Sequence, residues 1–99
     1  MVPKNHIATA YSCGELPNEK AKAMNCPNGI TSLGTIPTEG RTVACKPSWL
    51  GKWINVSGLG KRRCEDTGGA IKGNRIDVYL DTYHEALTYG KRTVNVEEL

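Results

Sequence analysis

Cys64-Glu65-Asp66-Thr67-Gly68-Gly69-Ala70-Ile71-Lys72-Gly73-Asn74-Arg75-Ile76-Asp77-Val78-Tyr79 is the stretch on which the fold turns. Its second half alternates. Ile76, Val78 and Leu80 are apolar while Asp77, Tyr79 and Asp81 are polar, so a strand over 75–80 offers one face to a core and aims Asp77 the other way. Upstream, 62–65 reads as a second strand. Glycines at 68, 69 and 73 permit positive φ and close backbone approach, so the chain can leave that strand at Asp66 and return through a tight loop. Two carboxylates eleven positions apart are thereby carried to the ends of neighbouring strands. Adjacent acids in a partly desolvated groove push one pKa up and keep a proton donor available near neutral pH, as glycosidic cleavage requires. The plainer alternative is that Asp66 caps its own turn and Asp77 makes a surface ion pair. A nucleotide cradle is excluded, because G-x-x-x-x-G-K-[ST] is absent and Lys72 precedes its glycine.

Outward from this stretch, short strand signals bounded by turns recur at 6–11, 41–46, 53–56 and 92–96, the pattern of an all-β barrel or sandwich. One helix is signalled over 83–89: Thr82-x-x-Glu85 forms a capping box and Gly90 is placed to end it. The segment from Ser12 to Gly40, with Pro17, Pro27 and Pro37, reads as loop with room for a short helix at 18–24. A loop of that length is usually functional or stapled.

The 99 residues, 38% apolar and 23% charged, make one domain spanning 1–99. A net charge of +3 is too small, and its densest run (Lys61-Arg62-Arg63) too local, for a nucleic-acid binder. No apolar run approaches the roughly 20 residues of a membrane span, and the first residues lack a signal-peptide core, so neither a span nor an export signal is expected here. Cys13, Cys26, Cys45 and Cys64 are 13, 19 and 19 positions apart, without the close pairs of a zinc site. Two disulfides in an oxidising compartment are expected. Of the three pairings, Cys13 with Cys26 would close the polar loop and Cys45 with Cys64 would tie two strands; four buried thiols are the alternative.

The motif from Glu65 to Tyr79, followed by His84-Glu85-Ala86-Leu87 and Gly90-Lys91-Arg92-Thr93-Val94, closely resembles the three-aspartate (3D) domain of bacterial muralytic proteins, a family related to the membrane-bound lytic transglycosylase A barrel. The resemblance continues through Ala8-Thr9-Ala10-Tyr11, 29–34, 40–44 and Pro47-Ser48, nearly the whole chain. It implies a small six-stranded double-psi β-barrel with one short helix. It also implies cleavage of the MurNAc–GlcNAc bond of peptidoglycan with closure of a 1,6-anhydro ring, one carboxyl group serving as acid and then as base. The expected partners are peptidoglycan glycan strands, acted on by a monomer in the cell envelope or outside the cell, reached by secretion or by phage delivery. No metal or other cofactor is expected.

Carried over by position, the second and third family aspartates are Asp66 and Asp77, the expected catalytic pair, with Asp77 first because an interior strand position raises its pKa. Lys46 stands where the first aspartate would be. The chain would then either cleave without it, Lys46 holding a carboxylate ionised or binding substrate, or mainly bind wall as a non-catalytic, expansin-like module. Tyr11, Thr31, Lys46, Trp49 and Lys72 are the expected substrate-binding residues, with Trp53 a further candidate for stacking on sugar.

Overall fold

The computed structural model describes residues 4–13, 29–68 and 71–99. Six strands, β1 (Lys4–Tyr11), β2 (Thr42–Ala44), β3 (Trp53–Val56), β4 (Gly60–Asp66), β5 (Arg75–Tyr79) and β6 (Arg92–Glu98), close a barrel in the order β1-β5-β2-β4-β3-β6. The pairs β1/β5 and β2/β4 are parallel and the other four antiparallel. This is the expected six-stranded all-β barrel. Its parallel pairs are each joined by a crossover, as a double-psi barrel demands, so strands remote in sequence lie side by side.

Alternation sets which side chains fill the interior. Ala8, Val43, Ile54, Val56, Ile76, Val78, Val94 and Val96 point inward and are almost wholly buried. Small and β-branched residues dominate because a six-stranded barrel has a narrow lumen and branched side chains fit its pleat. The helix α1 (Tyr83–Tyr89) falls where the capping box places it, with Thr82 Oγ1 accepting from Glu85 N at 3.1 Å and Gly90 at φ 69° just past its end.

Two local expectations change. The strand expected over 41–46 is only Thr42–Ala44, because Pro47 has no N–H to extend a ladder and instead opens a 3₁₀ turn over Pro47–Trp49. Of the three glycines in the β4–β5 connection, Gly73 takes φ 65° whereas Gly68 has no positive φ; a Cβ on Gly68 would sit 3.4 Å from Ile71 Cγ1. Gly69 and the helix expected at 18–24 lie outside the described residues.

Cys45 and Cys64 form a disulfide with Cα atoms 5.5 Å apart, tying the segment after β2 to β4. Cys13 is also disulfide-bonded; its expected partner, Cys26, lies outside the described residues. A cross-link over 19 positions removes chain entropy from the unfolded state, a contribution of about 3 kcal/mol. Replacing Cys45 and Cys64 together by alanine should therefore lower stability by about 3 kcal/mol, or roughly 12–24 °C in Tm, as read by thermal denaturation.

Candidate active site

A row of four residues crosses the outer surface of the barrel. Thr9 on β1 is in register with Asp77 on β5, Asp77 with Ala44 on β2, and Ala44 with Asp66 on β4. Since Ala8, Val43, Ile76 and Val78 point inward, Thr9, Ala44 and Asp77 point outward. Simple alternation from the core residue Cys64 would turn Asp66 inward. It does not, because β4 carries one extra residue between the pairs Val43↔Cys64 and Ala44↔Asp66, a β-bulge that re-aims the strand. Ala44 contributes only a methyl between the acids, whose backbones are two strand spacings, about 10 Å, apart.

The two carboxylates are held differently. Asp66 Oδ1 accepts from Ser32 N (3.1 Å), Ser32 Oγ (2.8 Å) and Thr67 N (3.0 Å), while Oδ2 accepts from the Tyr11 hydroxyl at 3.2 Å. Four donors thus converge on this one carboxyl group and fix its orientation. Among the described residues, Asp77 accepts only from Thr9 Oγ1, at 3.0 Å. Burial raises its pKa above the usual aspartate value; the Thr9 bond and the Arg75 charge pull it down, and the negative charge of Asp66 adds to the rise. One group is thus braced and the other reluctant to ionise, the division of labour an acid-catalysed cleavage needs. Burial, with the nearby charges of Asp66 and Asp77, also drives the Tyr11 phenol far above its ordinary pKa, so it acts as a hydrogen-bond donor.

The bulge has its own anchor. Glu65 is fully buried, and its carboxylate receives Arg41 Nε (2.6 Å), Arg41 Nη2 (3.2 Å), Thr42 Oγ1 (2.8 Å) and Thr35 Oγ1 (2.8 Å). Burial pushes this carboxyl up, but the bonds from Arg41, Thr42 and Thr35 outweigh it and hold the pKa below the usual glutamate value. Its carbonyl accepts from Leu33 N at 2.9 Å. The loop carrying Ser32 is therefore docked on Glu65, and Ser32 reaches the neighbouring Asp66.

Residues 41–99 match the family model described as the 3D domain. The chain belongs to the 3D domain family. Over 77 residues it is 46% identical to the cell wall-binding protein YocH of Bacillus subtilis (strain 168), covering 73% of this chain and 27% of that one. It is 32% identical over 96 residues to the putative cell wall shaping protein YabE of the same organism, covering 93% and 22%. The chain spans about a quarter of the length of these relatives. Its fold is similar to that of the lytic transglycosylase LtgG of Burkholderia pseudomallei, with a TM-score of 0.50 and 22% identity over 70% of this chain and 26% of that one.

Of the residues the 3D motif points to, the barrel brings Asp66, Asp77 and Tyr11 together. The others lie elsewhere or are occupied. Thr31 is buried, its hydroxyl 2.7 Å from that of Thr35 and accepting from Thr35 N, so it shapes the loop. Trp49 packs in the core beside the His6 ring, which removes its faces from a substrate groove. Lys46 sits with its ammonium 4.5 Å from the centre of the Trp49 ring, and the cation acting on Asp77 is Arg75 instead. Lys72 is exposed in the turn before β5. Trp53 is half-exposed on β3 between Lys61 and Arg63, away from the pair. Ser32 and Thr9 are the site partners that pattern alone does not single out, whereas Arg75, a cation two positions before Asp77, is a legible candidate for contacting substrate carboxylates; register with Asp77 is the signal for Thr9, and none exists for Ser32.

Because the folded-state pKa of Asp77 lies above 3.8, its ionisation opposes folding at higher pH and contributes nothing once both states are protonated. Asp77→Asn, which keeps an acceptor for Thr9, should raise Tm at pH 7, and the gain should vanish below pH 3.8. Thermal melts of both proteins across pH check this.

Proposed function

We propose that the chain is a peptidoglycan lytic transglycosylase that cleaves between N-acetylmuramic acid and N-acetylglucosamine. The observation that carries the proposal is Asp77: an outward-facing carboxyl, resistant to ionisation, two strands from a braced carboxylate, Asp66. Protonated Asp77 gives its proton to the leaving O4 oxygen as the bond to the muramyl C1 breaks. Asp66 faces the positive charge that develops at C1. The Asp77 carboxylate then takes the proton of the muramyl C6 hydroxyl, whose oxygen bonds to C1 and closes the anhydro ring. The proton borrowed from Asp77 is returned, and no water is consumed. Membership of the 3D family, relatives named for binding or shaping the cell wall, and the fold shared with a lytic transglycosylase support a role at the envelope.

A second reading is favoured by Lys46, which replaces the first family aspartate and is engaged with Trp49. In that reading the barrel binds wall glycan without cutting it.

Purified sacculi separate the two. Mass spectrometry of released material should find muropeptides ending in anhydro-muramic acid; pelleting without release supports the binding module, and water-adduct ends a hydrolase. Asp77→Asn should lower release by about 10²–10⁴-fold while the protein still pellets with sacculi. Since the acid form of Asp77 is the working one, release should decline as pH rises through its elevated pKa. Thr9→Val, which removes a bond that favours ionisation, should move that decline to higher pH.

A further inference from the structure

Beside the acid pair lies a cavity of about 170 Å³ lined by Ile7, Thr9, Arg75 and Lys91. Its position follows from the ladder: Ile7 is in register with Arg75 and Thr9 with Asp77, so Arg75 stands one outward-facing step, about 6.5–7 Å, from Asp77 along β5. Lys91 enters from the opposite flank of β1, immediately before β6, whose Arg92 is in register with Ala8.

Arg75 is poorly satisfied by the protein itself. Its Nη2 donates one long bond, 3.3 Å, to Thr9 Oγ1, and its Nε is shielded from solvent without a hydrogen-bond partner among the described residues. Neither Arg75 nor Lys91 has a carboxylate within 4.0 Å among those residues. Two cations without a carboxylate within 4.0 Å among the described residues, a hydroxyl and an aliphatic wall at Ile7, which is 40% exposed, form a recess chemically matched to a small organic anion. A volume of about 170 Å³ is below the several hundred Å³ of whole-ligand pockets, so what it takes is one substituent of a larger substrate.

We propose that this cavity is a carboxylate subsite for the substituent on C3 of the muramyl ring, with Arg75 and Lys91 binding the carboxylate and Ile7 packing on the adjoining methyl group. The inference rests on the glycan-cleaving role above and extends it to substrate selection. The carboxylate has two sources: the lactyl group itself when the strand is peptide-free, or the stem peptide when one is attached.

The test separates binding from cleavage by using Asp77→Asn protein and soluble glycan strands, either peptide-free or peptide-bearing, each before and after conversion of carboxylates to amides. Amidation should weaken binding about tenfold, the worth of a charge-assisted contact. Loss confined to peptide-free strands assigns the lactyl carboxylate, and loss confined to peptide-bearing ones the stem peptide. Lys91→Gln, an exposed substitution outside the barrel wall, should weaken binding of the carboxylate form by a similar factor and leave binding of the amidated form unchanged, a difference that a merely structural role would not produce. Equal binding before and after amidation, or a Lys91→Gln effect of the same size on both forms, overturns the subsite. Release of anhydro ends by the parent protein is scored separately, so a subsite without cleavage and cleavage without a subsite are distinct results.

Discussion

Glu65 is the constraint from which the site is built. A glutamate with no solvent exposure is costly unless its charge is paired and hydrogen-bonded, and here Arg41, Thr42 and Thr35 together give it four bonds. The same residue forms the bulge of β4, so the bonds that satisfy its charge also hold Asp66 at the angle that places it beside Ala44. Through its backbone carbonyl it docks the loop from which Ser32 braces Asp66. Its pKa is held low, so this support is complete above the ordinary glutamate value of 4.5 and fades as acid protonates it.

Much of this arrangement is legible in the chain and some is not, for identifiable reasons. The alternation of Ile76, Asp77 and Val78 fixes which way Asp77 faces, and the capping box fixes the helix, because each depends on residues adjacent in sequence. The pairing of Asp66 with Asp77 through Ala44 depends on a bulge, and alternation by itself turns Asp66 to the wrong side. Ser32 is out of reach of any local pattern, since it meets Asp66 across 34 positions. Trp49 misleads for a related cause. An aromatic beside the 3D motif invites a stacking role, but Trp49 is spent on the core, where it packs beside His6.

Lys46 illustrates how a charge reversal can be absorbed. Introduced facing the two acids, an ammonium would draw Asp77 toward ionisation. Placed over the Trp49 ring instead, it gains a cation–π contact and leaves Asp77 under the milder influence of Arg75. The substitution thus alters the rim of the barrel more than the electrostatics of the pair.

The seam of the barrel lies between strands from opposite ends of the described chain: β6 is wedged between β1 and β3, with Lys4 opposite Val96 and Val56 also opposite Val96. No closed cylinder exists until residues 92–98 are available. A nascent barrel would therefore carry unsealed strands until β6 has emerged, and contacts of such long range are slow to form. Vectorial folding is denied to this topology. A barrel whose sealing strand is the sixth of six winds up in one concerted step rather than strand by strand.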